Sequence, residues 1–411
     1  MQEIKIGLIK NDPYWENILW QEGVPFEVVG GDFKNYSLLV VNTLDGQVKS
    51  KIIDYINDGG VVLSHTKIFE ENYSSSKLGS FVPDDNKFFN DIGLFSLNSE
   101  INLLNDQSYH NTKDIVFSKK IGKGKLILLS FELNIFENIN YSPKPMFTPS
   151  GHIFQILPDV SRNSIRRLIV NCLIDLFDHA VLPYVRLSNF PSGFDGVFAF
   201  RVDADNFVEN DFYETVNVLT KNNIKATYFI NQKSHEGKIK YIQELANKGF
   251  EIQSHMNKHC VYNSVKDNHD NLQQSLEFLK EFKPTAFVAP FGIFNKSLAS
   301  AEEKLGMKYS SEFSYDYDNL PSFPIINGKV VKTLQIPVHP VCLESFIEVK
   351  RGDKEMLEHF EYFLKKTLQE RMPIFWYGHP TRVFKDYPTY FKVFSQIMKR
   401  LDKSGNIWKG T

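Results

Sequence analysis

The apolar run Val197-Phe198-Ala199-Phe200 passes directly into Arg201-Val202-Asp203-Ala204-Asp205, with no turn residue between them. A buried strand that ends in charge is the feature that most constrains the fold. Alternate side chains of a strand share a face, so Arg201, Asp203 and Asp205 point one way and Phe200, Val202 and Ala204 the other. At about 3.3 Å per residue, the two aspartate Cα atoms stand roughly 6.6 Å apart, so one carboxylate can hold a metal ion while the other reaches a water beside it. The same residues also fit an Asx-rich turn after a core strand, with Arg201 neutralising its neighbours. Both readings stay open on this stretch alone.

A chain of 411 residues exceeds one typical core, and two domains are expected. The hydrophobic content of 42%, with 35 Phe, belongs to a globular chain with a large buried volume rather than to a disordered one. A net charge of -2, with Lys and Arg spread along the chain, gives no reason to expect a nucleic acid partner or an anionic membrane. Cys172, Cys260 and Cys342 lie far apart and suggest neither a disulfide framework nor a cysteine zinc cage. The start, Met1-Gln2-Glu3-Ile4-Lys5, does not suit a signal peptide, and no run approaches the roughly 20 apolar residues of a membrane span. A cytoplasmic location is therefore expected.

The first part of the chain alternates strands and helices, which argues for a parallel sheet. Strands are expected at Ile4 to Ile9, Phe26 to Val29, Tyr36 to Asn42, Val61 to Ser64 and Lys125 to Ser130, with helices at Tyr14 to Gln21 and Val48 to Asn57. Residues 71–112, rich in Ser, Asn and Asp, read as irregular surface connections. This layout resembles the class I glutamine amidotransferase-like, flavodoxin-like α/β fold, in which a nucleophilic cysteine stands on a strand-to-helix elbow. No cysteine precedes Cys172, and Ser64-His65-Thr66 reads as a strand-end turn, so a non-catalytic role is expected. After a helix from Ser164 to His179, prolines 183 and 191 and Gly193 mark a boundary, giving domains 1–185 and 186–411.

Beyond the boundary, strand and helix patterns recur at roughly 25-residue spacing, through Ala226 to Ile230, Gly249 to Gln253, Ala286 to Val288 and Pro373 to Tyr377. Repeated βα units fit an α/β barrel-like closure, in which functional side chains gather at the C-terminal strand ends. Asp203, His255, Pro290 and His379 fall at such ends. His255 and His259, four apart, would share one face of a helical turn and converge on one ion. Asp205 completes a set of two histidines and one carboxylate that leaves a position open for water and substrate. His110, His235 and His269 lie in polar stretches and read as solvated, and Cys260 as a small buried residue.

These stretches resemble the polysaccharide deacetylase family, also called the NodB homology domain or carbohydrate esterase family 4, over roughly residues 190–400. Val202-Asp203-Ala204-Asp205 is similar to its first motif, Ala226 to Ile230 to its second strand, and Gly249 to His255 with His259 to its histidine motif. Phe287-Val288-Ala289-Pro290-Phe291-Gly292 resembles its Arg-x-Pro-Tyr-Gly motif, and Tyr377-Gly378-His379-Pro380 its closing motif. The resemblance implies a distorted (β/α) barrel and metal-dependent hydrolysis of an N-acyl, chiefly N-acetyl, group on an amino sugar or glycan. It implies Asp205, His255 and His259 as metal ligands, Asp203 as base, His379 as acid, and the Phe291 backbone N–H at the oxyanion. Zinc is the default ion for such a donor set; iron, cobalt and nickel remain open.

Two departures stand out. Val288 replaces the motif arginine that orients the base, a loss that Arg201 would repair from its place beside Asp203 on the strand. No counterpart of the family's Trp motif is found near Ser314 to Pro321; Trp376, Tyr377 and the loop from Tyr315 to Pro324 are expected to wall the acyl pocket, with Pro290, Phe291 and Gly292. His339 has two readings, a substrate contact and a histidine in a proline-bounded turn. A carbohydrate-binding pseudoenzyme, and a deformylase or cyclic amide hydrolase on the same scaffold, are the alternatives to deacetylation.

Overall fold

The structure, a computed structural model, describes residues 4–70, 73–104, 112–148, 151–318, 320–379 and 387–411. His110 and Pro380 lie outside them. The chain forms two compact units: Met1–Asn138, Asp159–Asn189 and Ile325–Val330 make the first, and Ile139–Pro158, Phe190–Pro324 and Val331–Thr411 the second. A single cut near residue 185 does not describe this division. The antiparallel strands Tyr141–Thr148 and Gly151–Pro158 belong to the second unit because Met146, Ile153 and Leu157 are buried in its core.

The first unit is a six-stranded sheet in the order Phe26–Val28, Ile6–Leu8, Leu38–Val41, Val61–His65, Gly124–Leu129, Val116–Ile121, parallel except for the last pair. Strand alternation sends Leu38, Val40 and Leu63 into one core with Trp15 and Ile18, and Leu39, Val41 and Val62 into another with Ile52 and Ile56. Both faces are covered, as a parallel sheet requires. The helix Pro13–Gln21 starts at Asp12, whose carboxylate accepts from the backbone of Tyr14 and Trp15. Residues 71–112 are not all irregular. Ser74–Phe81 and Phe95–Leu103 pair antiparallel, and Leu78, Phe95, Leu97 and Ile101 are buried. Their polar outward residues hid the alternation.

The second unit is an eight-stranded parallel sheet that curls as a half-barrel. Its order is Leu334–Gln335, Tyr309–Ser310, Ala286–Phe287, Glu251–Ser254, Ala226–Ile230, Gly196–Ala204, Pro373–Gly378, with Ile407–Gly410 also paired to Gly196–Ala204. Among the described residues the edge strands Leu334–Gln335 and Pro373–Gly378 are not paired directly, and the His339 N–H donates to the Phe375 carbonyl at 2.8 Å across the gap. Phe200, Val202 and Ala204 pack in a core with Ala226, Tyr228 and Ile230. Because all strands run the same way, the residues just past Ala204, Ser254, Phe287, Ser310 and Gly378 collect at one end of the sheet. Among the described residues, no helix is long and apolar enough to cross a membrane.

Candidate active site

At that end lies a cavity of about 480 Å³ lined by residues of the second unit. Asp205 leaves the strand Gly196–Ala204 and meets both histidines through one oxygen: Oδ1 lies 2.8 Å from His255 Nε2 and 3.1 Å from His259 Nε2. The three ligand atoms lie within 4.8 Å of one another. His255 Nδ1 donates to the Val288 carbonyl at 2.8 Å, which leaves the Nε2 lone pair facing Asp205. Two lone pairs do not approach so closely without a proton or a cation between them. Burial opposes charge on both partners, but the His255 and His259 contacts hold Asp205 well below the usual carboxylate range, and Asp205 raises His255 above its ordinary value. Two imidazoles and a carboxylate, one imidazole oriented by a backbone carbonyl, fit a divalent ion of the zinc class.

The histidines do not share a helical turn. Residues 255–264 form no helix; Met256 takes a left-handed conformation at φ 61°, and the chain bends back toward the cavity. Asn271, on the helix Val265–Phe278, fastens the bend. Its Oδ1 accepts from Lys258 N at 2.7 Å, and its Nδ2 donates to the carbonyls of Lys258 and Cys260 at 3.0 and 3.1 Å. Asn231 holds the other side, donating to the carbonyls of His255 and Met256. The imidazole centroids thereby come to 5.0 Å. The trace in the sequence is the pair Asn268 and Asn271 inside one helix, asparagine being a poor helix former that bonds readily to backbone.

Arg201 and Asp203 lie on the cavity side of the same strand. Arg201 Nη2 donates to Asp203 Oδ2 at 2.9 Å, and Nη1 to the carbonyl and hydroxyl of Ser311 at 2.5 and 2.7 Å. The guanidinium also sits 4.8 Å from the Tyr377 ring centroid. Asp203 Oδ1 is buried and accepts no hydrogen bond from the described residues. His379 approaches from the strand Pro373–Gly378, with Nε2 3.8 Å from Asp203 Oδ2. Its backbone N–H donates to Glu344 Oε1 at 2.5 Å, the oxygen that also accepts from the Tyr390 hydroxyl.

The walls differ in part from expectation. Phe291, Gly292 and Tyr377 line the cavity. Phe291 has φ 59° and lies edge-on to His259, 4.8 Å between centroids, while a Cβ on Gly292 would stand 2.3 Å from the Phe313 ring. Pro290 is buried behind them and does not line the cavity. Nor do Trp376 and His339. Strand alternation turns Tyr377 toward the cavity and therefore Trp376 into the core, against Phe360 at 5.0 Å. His339 is buried with its Nε2 3.1 Å from that of His359. Phe313, stacked on Tyr377, supplies the wall expected of Trp376, with Gln155 and Ile156 from the hairpin that precedes the expected boundary. His235, read as solvated, is buried and bonded to the Asn231 carbonyl, whereas His269 is partly exposed beside Asp270. In the first unit, the Ser64 hydroxyl donates to the Val41 carbonyl at 2.6 Å, as befits a strand end.

The sequence matches no curated protein. Among solved structures, the chain is similar to a putative polysaccharide deacetylase from Mycobacterium smegmatis, at 15% identity and TM-score 0.46 over 54% of this chain and 88% of that one. It is similar to a probable polysaccharide deacetylase from Pseudomonas aeruginosa PAO1, at 12% identity and TM-score 0.46 over 57% and 94%. A CE4 family pseudoenzyme from Bacillus anthracis aligns at 13% identity and TM-score 0.36 over 56% and 71%. Residues 200–310, which carry Arg201, Asp203, Asp205, His255 and His259 but not His379, match the family model described as Polysaccharide deacetylase.

Proposed function

We propose that the chain is a metal-dependent hydrolase that removes an N-acyl group, chiefly N-acetyl, from an amino sugar or glycan. Asp205, His255 and His259 would hold the ion, zinc by default. When bound there, a divalent ion polarises an acyl oxygen and lowers the pKa of water to about 7. Asp203 takes the proton of the attacking water at Oδ1, the oxygen that Arg201 leaves open. His379, on the other side of Asp203, gives a proton to the departing amine nitrogen. Arg201 positions the base by tying Oδ2 to the backbone and hydroxyl of Ser311. The Phe291 N–H is assigned to the developing oxyanion.

The observation that carries this reading is the division of labour between the two aspartates. Asp205 turns one oxygen to both imidazoles, while Asp203 keeps one oxygen unbonded. The first unit we read as an amidotransferase-like scaffold without a nucleophile, since its Ser64 hydroxyl is committed to backbone. The test is acetate release from N-acetylated nucleotide-linked, lipid-linked and oligomeric amino sugars by zinc-loaded protein. Release by wild type, slowed by roughly 10²- to 10⁴-fold in Asp203→Asn, is expected. No release from any member of the panel would overturn the reading in favour of a glycan-binding role.

A further inference from the structure

A second convergence of donors faces the same cavity. The Cys342 thiol, a Glu344 carboxylate oxygen and a His379 ring nitrogen lie within 4.8 Å of one another. Cys342 immediately precedes the helix Leu343–Glu348, Glu344 sits in its first turn, and His379 enters from the neighbouring strand end. Glu344 is nine-tenths buried. Its Oε1 is used twice, by His379 N–H and Tyr390 O–H, but its Oε2 is buried with no hydrogen-bond partner among the described residues. Leaving a charged oxygen in that state is costly unless something positive answers it. The Cys342 sulfur lies 3.3 Å from the Ser345 hydroxyl and also contacts the Glu344 carboxylate.

Thiolate, imidazole and carboxylate together select a borderline-soft cation over magnesium or calcium, which favour all-oxygen sets. We propose that Cys342, Glu344 and His379 form a second cation site, for a thiophilic divalent ion of the zinc class, and that its occupation withdraws His379 from proton transfer. Binding exchanges the Sγ proton for the ion and releases that proton to solvent, with no change of oxidation state. The inhibitory consequence rests on His379 acting as the acid in the proposed hydrolysis; the site itself does not.

Cadmium titration of the metal-free full chain tests the site without reference to activity. About two equivalents are expected, one for each donor set, the second giving the ultraviolet absorption of a cadmium–thiolate bond. Cys342→Ser should abolish that absorption and one equivalent, while Cys260→Ser keeps both. Absorption of unchanged size in Cys342→Ser overturns the proposal. Because Cys342 is buried, Glu344→Gln is measured beside it, retaining the thiol; its cadmium midpoint should rise at least about tenfold, and an unmoved midpoint counts equally against the site. In the acetate-release assay, zinc beyond the first equivalent should inhibit wild type and not Cys342→Ser, and equal inhibition of both overturns the regulatory half. A chain that binds both cadmium ions yet releases no acetate overturns the hydrolase reading and leaves the second site standing.

Discussion

Arg201 and Asp203, two positions apart on one strand, form an ion pair of 2.9 Å in which both side chains are almost fully buried. A motif arginine is expected from another strand, and Val288 occupies that place, its carbonyl accepting from His255 and its N–H donating to the Ser254 carbonyl. Arg201→Met keeps length but removes the charge, leaving Asp203 buried without its counter-ion. Loss of one partner from a buried pair costs about 3 kcal/mol. The variant should unfold at lower denaturant, lose most of its turnover and retain its metal, as measured by urea titration, acetate release and metal analysis. Wild-type turnover in Arg201→Met would remove it from the positioning role.

The two aspartates should separate metal binding from chemistry. Asp203→Asn keeps a side chain of the same shape outside the ligand set, so the ion held by Asp205, His255 and His259 should remain while kcat falls by roughly 10²- to 10⁴-fold. Asp205→Asn, His255→Ala and His259→Ala should each lose about one equivalent relative to wild type, read by elemental analysis after dialysis. Equal metal loss in Asp203→Asn and Asp205→Asn would mean that both carboxylates hold the ion.

Much of this site is legible in sequence because strand alternation is a strict rule. Arg201, Asp203 and Asp205 share a face simply because they are spaced by two, and the same rule sends Phe200, Val202 and Ala204 into the core. It also decides against Trp376 once Tyr377 faces the cavity, a choice the sequence leaves open because both residues are aromatic. The His255 to His259 bend has no comparable rule. Its geometry depends on a left-handed Met256 and on Asn271, twelve residues beyond His259, and spacing by four suggests a helical turn instead. Likewise the hairpin at 141–158 joins the second unit through Met146, Ile153 and Leu157, contacts that composition does not reveal.

Asn271 offers a test of how far the bend matters. Asn271→Ala removes a side chain that touches no metal ligand directly but bonds to Lys258 and Cys260, the residues flanking His259. Zinc affinity should fall by roughly 10- to 100-fold, as for other groups that orient metal ligands from behind. Competition with a chelator measures it, with His255→Ala as the limit of full loss. Unchanged affinity would show that the backbone alone holds His259 in place.

Three buried histidines should make the fold acid-sensitive. Burial lowers His235 from 6.5 to about 4 and His339 to about 3, and lowers His359 further, with His339 and Lys366 adding to the effect at the pair. His339 Nδ1 also lies 3.9 Å from Asp318, whose carboxyl burial pushes above its ordinary value. The unfolded chain binds protons at these imidazoles as pH falls below about 6.5, whereas the folded chain resists until pH 4 or lower. Stability is therefore complete above pH 6.5 and falls as pH drops through this window, by roughly 3 kcal/mol for a shift of His235's size. His235→Gln and His359→Asn should each flatten the dependence of the urea midpoint on pH between 6.5 and 4. The slope that survives in the double variant reports the remaining groups, and a slope equal to wild type would show that these imidazoles are already charged in the fold.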